Sequence, residues 1–306
     1  MAPAGDLLPM PQLPDRVTGA LLVAAACVCW SSGGILVRLL DLDAIVIVFW
    51  RSLFMAAAVA LTLLVVHRQK APAVIAAVRW PGLLSGVLLS GAFIGYILSL
   101  SFTQVANTMI LMSASPLVAA LLAWLFLKEP LSQATALAIA MAMVGIAVMF
   151  SHGIAAGNLL GDSFALLVAF TFGANIVVLR RWRGIDMVPA TMLGGLISAV
   201  MTVPWAIGVS VGRADLVILA TLGCVQLGLG LFLFVRGSRK LQAAELGLLT
   251  LLETVLAPIW VWIGIGETPS AAALLGGSIV LAAVIGLTLS QRIRRPLPTT
   301  AFKQCP

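Results

Sequence analysis

AWLFLKEPLS, Ala123 to Ser132, closes one long apolar run, and VWIGIGETPS, Val261 to Ser270, closes another in nearly the same way. Trp124 matches Trp262, Glu129 matches Glu267 and Ser132 matches Ser270, each at a spacing of 138. Sliding residues 104–132 onto 242–270 adds Gln104/Gln242, Ala106/Ala244, Leu111/Leu249 and Ala119/Ala257. Leu and Ala matches carry little weight in such a composition. The Gln, Trp and Glu matches carry more. A second register, at a spacing of 142, sets Gly19 on Gly161 and Arg38 on Arg180. The chain therefore reads as one unit written twice.

Composition fixes the solvent. The 306 residues are 61% hydrophobic and 9% charged, against about 25% charged in a soluble domain. Too little polar surface exists to cover a globule in water, so the chain belongs in a bilayer. The net charge of +7 does not point to nucleic acid, because the basic residues sit between apolar runs rather than on one domain face. Cys27 and Cys29 lie inside an apolar run and read as small hydrophobes; Cys224 and Cys305 complete no framework. The opening MAPAGDLLPMPQLPDR lacks a basic n-region and a small-residue cleavage site, so it reads as a disordered tail rather than a signal peptide.

Ten apolar runs of spanning length follow, near 18–40, 44–66, 80–100, 104–127, 131–150, 160–179, 188–210, 216–235, 241–265 and 270–290. Barrel strands are about 10 residues long and alternate, so the spans read as helices. The expected fold is all-α and integral to the membrane, with ten transmembrane helices in two inverted five-helix repeats. The expected divisions are a tail at 1–16, a first repeat at 17–151, a second at 152–291 and a basic tail at 292–306. With the N-terminus inside, the inner joints hold Arg68, Lys70, Arg79, Lys128, Arg180, Arg181, Arg183, Arg236, Arg239 and Lys240. The tails add Arg16, Arg292, Arg294, Arg295 and Lys303, so fifteen of the 18 Lys and Arg lie inside. Only Arg38 and Arg213 fall in outer joints, beside Asp41, Asp43, Asp162 and Asp215. The positive-inside rule then puts both termini in the cytoplasm.

Five is odd, so the second unit must re-enter the membrane upside down. Inverted repeats characterise secondary transporters, whose substrate site lies near the midplane between the repeats. At this point a resemblance enters. CWSSGGILVR in span 1, FWRSLFMAA in span 2 and SASPLVAALLAWLFLKEPLS across spans 4 and 5 resemble the drug/metabolite transporter superfamily, in its EamA-type branch of ten-helix exporters. The likeness covers about residues 17–290. The second half departs from it, with Thr254 where Pro116 stands and Glu253 where Ser115 stands. The resemblance implies gradient-driven efflux of small metabolites, including amino acids, across a bacterial inner membrane. The lack of a G-x-x-x-x-G-K-[ST] loop fits a carrier that uses no ATP.

Charge inside a span is costly and marks a candidate site. Glu253 lies 11 residues after Gln242, about 16 Å deep at 1.5 Å per residue. Arg51 lies about 9 Å from the outer end of span 2, which leaves the two near one depth and able to pair across a cavity. Glu253 is read as the proton or amine site, with Glu245, two turns earlier, as a second coupling candidate. Arg51 is read as the carboxylate clamp, since a guanidinium grips a carboxylate with two parallel bonds. Trp30 and Ser31 in span 1, Trp50 in span 2, Tyr96 in span 3, Asn107 and Ser115 in span 4, Asn175 in span 6 and Gln226 in span 8 are further substrate-binding candidates. Aromatic walls with a few placed polar groups suit a small-molecule cavity. Any one of them is more often a helix–helix hydrogen bond or a lipid-facing ring. Pro116 is a candidate hinge, and the glycines of spans 3 and 8 read as close-packing positions. Glu129 and Glu267 read as caps of spans 5 and 10, with gating as the sharper role.

An intramembrane enzyme would need a nucleophile–base or metal set in the spans. His67 and His152 are the only histidines and lie at joints. The reading is a secondary carrier without cofactor or metal, working as a monomer or homodimer in the lipid bilayer, with protons as the coupling ion. Its substrate is a small metabolite. Amino acids come first, aromatic or otherwise apolar ones in particular, because Arg51 and Glu253 together hold a zwitterion. The alternative is a cationic drug exporter of the same superfamily, with Glu253 as the cation site.

Overall fold

A computed structural model of the chain describes residues 15–130, 132–182, 184–238, 240–241 and 243–293. The tails expected over 1–16 and 292–306 lie almost wholly outside the described residues. Every regular element among the described residues is helical. In hydrocarbon a helix satisfies its own backbone, which is why apolar runs settle this way. The first half comprises α1 (Asp15–Ser31), α2 (Gly33–Arg38), α3 (Ala44–His67), the short α4 (Ala71–Ala77), α5 (Arg79–Phe102), α6 (Val105–Met112), α7 (Ser115–Leu127) and α8 (Gln133–Ala156). The second comprises α9 (Leu159–Arg181), α10 (Val188–Ala206), α11 (Arg213–Ala220), α12 (Gly230–Ser238), α13 (Ala243–Ile265) and α14 (Ala271–Ile293). A π-helical stretch, Thr221–Leu229, joins α11 to α12.

Among the described residues, eight segments are long and apolar enough to cross a membrane: Val17–Arg38, Ala44–Ala77, Arg79–Phe102, Val105–Leu127, Gln133–Phe150, Leu159–Arg181, Val188–Ala206 and Arg213–Ser238. Two shorter apolar stretches, Leu249–Ile265 and Ala271–Leu287, lie within α13 and α14. Spans 1 and 4 are interrupted near their middles. The first breaks at Ser32, between α1 and α2, and the fourth at Ser113–Ala114, with Pro116 in the first turn of α7. Proline fits there because first-turn N–H groups have no intrahelical acceptor. The counterpart α13, with Thr254 in place of Pro116, runs on from Ala243 to Ile265.

Packing repeats under exchange of the halves. α5 packs on α9, and α12 with the π stretch packs on α1; α7 packs on α9, and α13 on α1; α10 packs on α5, and the π stretch on α3. Two contacts are their own counterparts, α3 on α10 and α8 on α14. The glycines set these distances. A Cβ on Gly145 would stand 2.6 Å from the Gly276 carbonyl oxygen, and one on Gly276 would stand 2.5 Å from that of Gly145. Gly19 meets Gly237 and Lys240 at the end of α12, while Gly161 meets Phe102 and Thr103 at the end of α5. The 142-residue register thus brings both glycines to equivalent crossings.

The twice-written ending has one geometry. Lys128 (φ 54°) and Gly266 (φ 73°) are both left-handed. Glu129 N–H reaches back to Ala123 O and Glu267 N–H to Val261 O, each at 3.4 Å. Each helix thus closes through a left-handed residue, whose successor's N–H returns to a carbonyl of the last turns. The caps of α8 and α14 are then Ser132 and Ser270. Ser132 Oγ accepts the Thr135 N–H at 3.2 Å and Ser270 Oγ accepts the Ala273 N–H at 3.1 Å. This corrects the capping roles expected of Glu129 and Glu267: a serine three residues later already occupies each N-cap, which releases both carboxylates.

Candidate functional site

Span 2 brings Arg51 into the protein interior, where it is 2% exposed. Nη2 donates to Gln226 Oε1 at 3.3 Å, while Nε and Nη1 have no hydrogen-bond partner. Its guanidinium carbon lies 5.0 Å from the centre of the Tyr96 ring, within cation–π range. The Tyr96 hydroxyl and Trp50 Nε1 are also buried without partners. Burying a polar group without a hydrogen bond costs about 1–3 kcal/mol, so these four donor atoms make this region the candidate site.

Gln226 is aimed by the π stretch. One extra residue per turn in a π segment changes which side chains face a neighbour. Gln226 Nε2 donates to the Trp30 carbonyl at 3.1 Å, so Gln226 ties the break in span 1 to Arg51. A Cβ on Gly33 would stand 2.6 Å from the Tyr96 hydroxyl and 2.9 Å from Gln226 Nε2. Only glycine leaves room for both groups. Ser31 Oγ donates to Val28 O at 2.9 Å and accepts from Trp260 Nε1 at 3.0 Å. Trp30 leans on Phe234, with ring centres 5.1 Å apart, and Trp50 stacks on Phe54 at 5.8 Å.

Glu253 is half-buried on α13 and interacts electrostatically with Arg51 and Tyr96. It forms no ion pair with Arg51 within 4 Å among the described residues. The direct pairing that equal depth suggests is thus absent. Cys27 lies close by and donates to Leu249 O at 3.4 Å. Glu245 lies on α13, but its side chain is outside what is described.

Three candidates have their polar bonds elsewhere. Asn107 Nδ2 donates to Thr103 Oγ1 at 3.2 Å and to Asp162 Oδ1 at 3.1 Å. Asn175 Oδ1 accepts from Ser85 Oγ at 2.6 Å. Ser115 Oγ donates to Met112 O in its own span. Asp162, assigned from sequence to an outer joint, is fully buried in the first turn of α9. Thr103 Oγ1 and Asn107 satisfy its Oδ1. Hydropathy does not reveal this burial, because Asp162 sits at the end of a span. Ser85, Trp260 and Gly33 also went unread, each being an ordinary residue in an apolar run.

The two ends of the bundle differ. At one end, α6 packs on both α13 and α14. Arg38 Nε donates to Glu267 Oε2 at 3.0 Å and Nη2 to Thr103 O at 2.8 Å, while Glu267 Oε1 accepts the Val105 N–H at 2.7 Å. Gln104 adds bonds to Thr268 O and from Ser270 N–H, each 3.2 Å. Beneath them Val37, Leu40, Leu100, Val105 and Val261 form one apolar cluster. At the other end, α7 and α8 make no comparable packing with α13 among the described residues. A recess of about 330 Å³ is lined by Glu129, Ile176, Leu179 and Arg180. These contacts close the Arg38 end, while the Arg180 end carries the recess.

The model of the EamA-like transporter family matches the chain twice, over residues 17–151 and 159–289. The chain belongs to the EamA-like transporter family. As the resemblance implied, this EamA-like protein is a multi-pass membrane transporter of the drug/metabolite transporter superfamily. A solved chain titled "Crystal structure of protein" is 18% identical, with a TM-score of 0.64, over 90% of this transporter and 99% of the solved chain. It shares the fold. No curated protein matches the chain.

Proposed function

We propose that this EamA-like transporter is a secondary carrier that exports small zwitterionic metabolites, amino acids with apolar or aromatic side chains foremost. The observation that carries the reading is Arg51: a buried guanidinium with Nε and Nη1 unpartnered, beside the unpartnered Tyr96 hydroxyl and Trp50 Nε1. A carboxylate supplies the acceptors these donors lack, and a guanidinium takes it with two parallel bonds. Glu253, which makes no direct ion pair with Arg51, offers the counter-charge for an amine. Trp30, Trp50, Tyr96 and Trp260 supply apolar area for a side chain.

In this reading α13 and α14 are spans nine and ten, and the two five-span halves are inverted. Both termini face the cytoplasm, because fifteen of the 18 Lys and Arg then lie inside. The Arg38 end faces outward and is closed, so the conformation faces inward, ready to load cytoplasmic substrate. Alternating access exchanges the conformations of the halves, with Pro116 as the hinge of span 4 and protons, taken by Glu253, as the coupling ion. The membrane is the bacterial inner membrane.

The test is counterflow of labelled amino acids into liposomes holding the purified protein, with and without a pH gradient, beside Glu253→Gln. Uptake against unlabelled internal substrate establishes the carrier and its substrate. Normal rate and normal pH dependence in Glu253→Gln would remove the proton role. One observation favours a second reading: Glu253 is not neutralised by a direct bond to Arg51, so its carboxylate is open to an organic cation. No exchange of any amino acid, with exchange of a cationic drug, would select that reading.

A further inference from the structure

Two ion pairs in the bundle are counterparts of one another. Arg38, in the first half, binds Glu267, in the second. Arg180, in the second half, binds Glu129, in the first, with Nη2 2.8 Å from Oε1 and 2.6 Å from Oε2. Arg38 and Arg180 match at the 142-residue spacing and Glu129 and Glu267 at the 138-residue spacing. Each bridge therefore joins the two halves, and each lies at one end of the bundle. They differ in environment. The Arg38 and Glu267 side chains are 26% and 17% exposed, whereas those of Arg180 and Glu129 are 50% and 42% exposed.

The bonds beyond the bridge differ as well. At the closed end Arg38 also holds the Thr103 carbonyl, and Glu267 also caps α6 through the Val105 N–H. This clamps the start of span 4 between the ends of spans 1 and 9. At the other end the Arg180 and Glu129 side chains hold only each other among the hydrogen bonds of the described residues. At a spacing of 138, the counterparts of Thr103 and Val105 are Leu241 and Ala243, at the entrance to α13.

We propose that Arg38–Glu267 and Arg180–Glu129 are reciprocal locks, of which only one is engaged with the backbone at a time. In the conformation shown, the first lock is engaged and the second is an exposed bridge. In the exchanged conformation Glu129 takes the Ala243 N–H and Arg180 the Leu241 carbonyl, while Glu267 releases Val105 and Arg38 releases Thr103. Exposed bridges contribute little and charge-assisted, desolvated bonds contribute more. The engaged lock thus stabilises its own closed face, and matched residues at both ends keep the two conformations close in free energy. Two such locks need a carrier that alternates between its faces, so the switch rests on the alternating-access reading above. It does not depend on which substrate is carried.

The test is hydrogen exchange by mass spectrometry on the full chain in lipid nanodiscs, comparing wild type with Glu267→Gln and Glu129→Gln. Glu267→Gln is expected to speed exchange in the segment at 103–112 and to slow it at 241–250, with the ratio of the two states moving about tenfold or more. Glu129→Gln is expected to do the opposite, slowing 103–112 further. The double charge reversal R38E/E267R re-forms an ion pair but sets a carboxylate against the Thr103 carbonyl and a donor-only guanidinium against the Val105 N–H, so it is expected to follow Glu267→Gln rather than wild type. Faster exchange only around each substitution, with no change at the opposite end, overturns the proposal. If Glu267→Gln speeds exchange throughout, it has unfolded the protein. Glu267→Asp then decides, because it keeps the charge and withdraws it by one methylene. Counterflow by the same variants in liposomes separates the two readings. Reciprocal protection without transport of any amino acid leaves the switch standing and removes the substrate. Normal counterflow with unchanged protection removes the switch alone.

Discussion

Arg51 Nη2 donates to Gln226 Oε1 at 3.3 Å, and this single bond across the two halves leaves the rest of the guanidinium fork directed at the interior. A lysine at this position keeps the charge but loses the planar pair of donors. Arg51→Lys is expected to lower kcat/KM for a carboxylate-bearing substrate at least tenfold, a cost of about 1.4 kcal/mol or more. The loss falls on KM, because ground-state binding is what the fork supplies. The concentration dependence of counterflow measures it. An unchanged KM would remove Arg51 from the substrate.

Gly33 controls how closely Tyr96 and Gln226 approach the break in span 1. An added Cβ would meet the Tyr96 hydroxyl at 2.6 Å and Gln226 Nε2 at 2.9 Å. Gly33→Ala is therefore expected to lower stability by about 1–3 kcal/mol, the usual cost of overpacking. Tyr96→Phe removes the atom in the way. In the Gly33→Ala background it is expected to recover part of the loss, where simple addition of the two changes would deepen it. A double-mutant cycle on the thermal midpoint measures this coupling.

Much of this was legible from residue order. Hydropathy located the apolar segments because lipid demands about 20 apolar residues in a row. The Trp, Glu and Ser matches exposed the duplication because only costly residues stand out in a Leu- and Ala-rich chain. Arg51, Tyr96 and Gln226 were readable as polar groups in unusual places, and they meet. Asn107 and Asn175 were equally unusual, yet they pair with Asp162 and Ser85. What separates the two sets is the rotation of each helix about its axis, at 100° per residue, and periodicity does not fix that when a helix is apolar all round. Gln226 sharpens the point, since the π stretch around it changes the rotation partway along span 8. Glu129 and Glu267 were legible as a repeated pair, but their Arg partners lie 51 and 229 residues away and only the fold joins them.

Asp162 anchors the closed end from below. Its Oδ1 accepts from Thr103 Oγ1 at 2.7 Å and from Asn107 Nδ2 at 3.1 Å. Thr103 in turn offers its carbonyl to Arg38. Asp162→Ala leaves the Thr103 hydroxyl proton without its acceptor in a dry interior, at about 1–3 kcal/mol, while Asn107 Nδ2 keeps its bond to Thr103 Oγ1. The thermal midpoint is expected to fall by several degrees, and exchange at 103–112 to rise with it. A midpoint equal to wild type would show that the carboxylate does not hold Thr103.

Lys128 and Gly266 adopt the same left-handed conformation at the ends of the two matched helices, φ 54° and φ 73°. Only one of them is glycine. A left-handed turn costs a residue with a Cβ about 1 kcal/mol or more, and glycine almost nothing. The repeats therefore carry an imbalance at equivalent positions. Lys128→Gly is expected to stabilise the protein by about 0.5–1 kcal/mol, and Gly266→Ala to destabilise it by a similar amount. Nothing lies within 4 Å of a Cβ added at Gly266, so crowding does not confuse the comparison. Thermal unfolding in one detergent, on both single variants and the double, separates the backbone effect from any role of the Lys128 charge. If Lys128→Gly loses stability while Lys128→Asn, a residue that tolerates the left-handed turn, loses it equally, the ammonium rather than the backbone is what that position supplies.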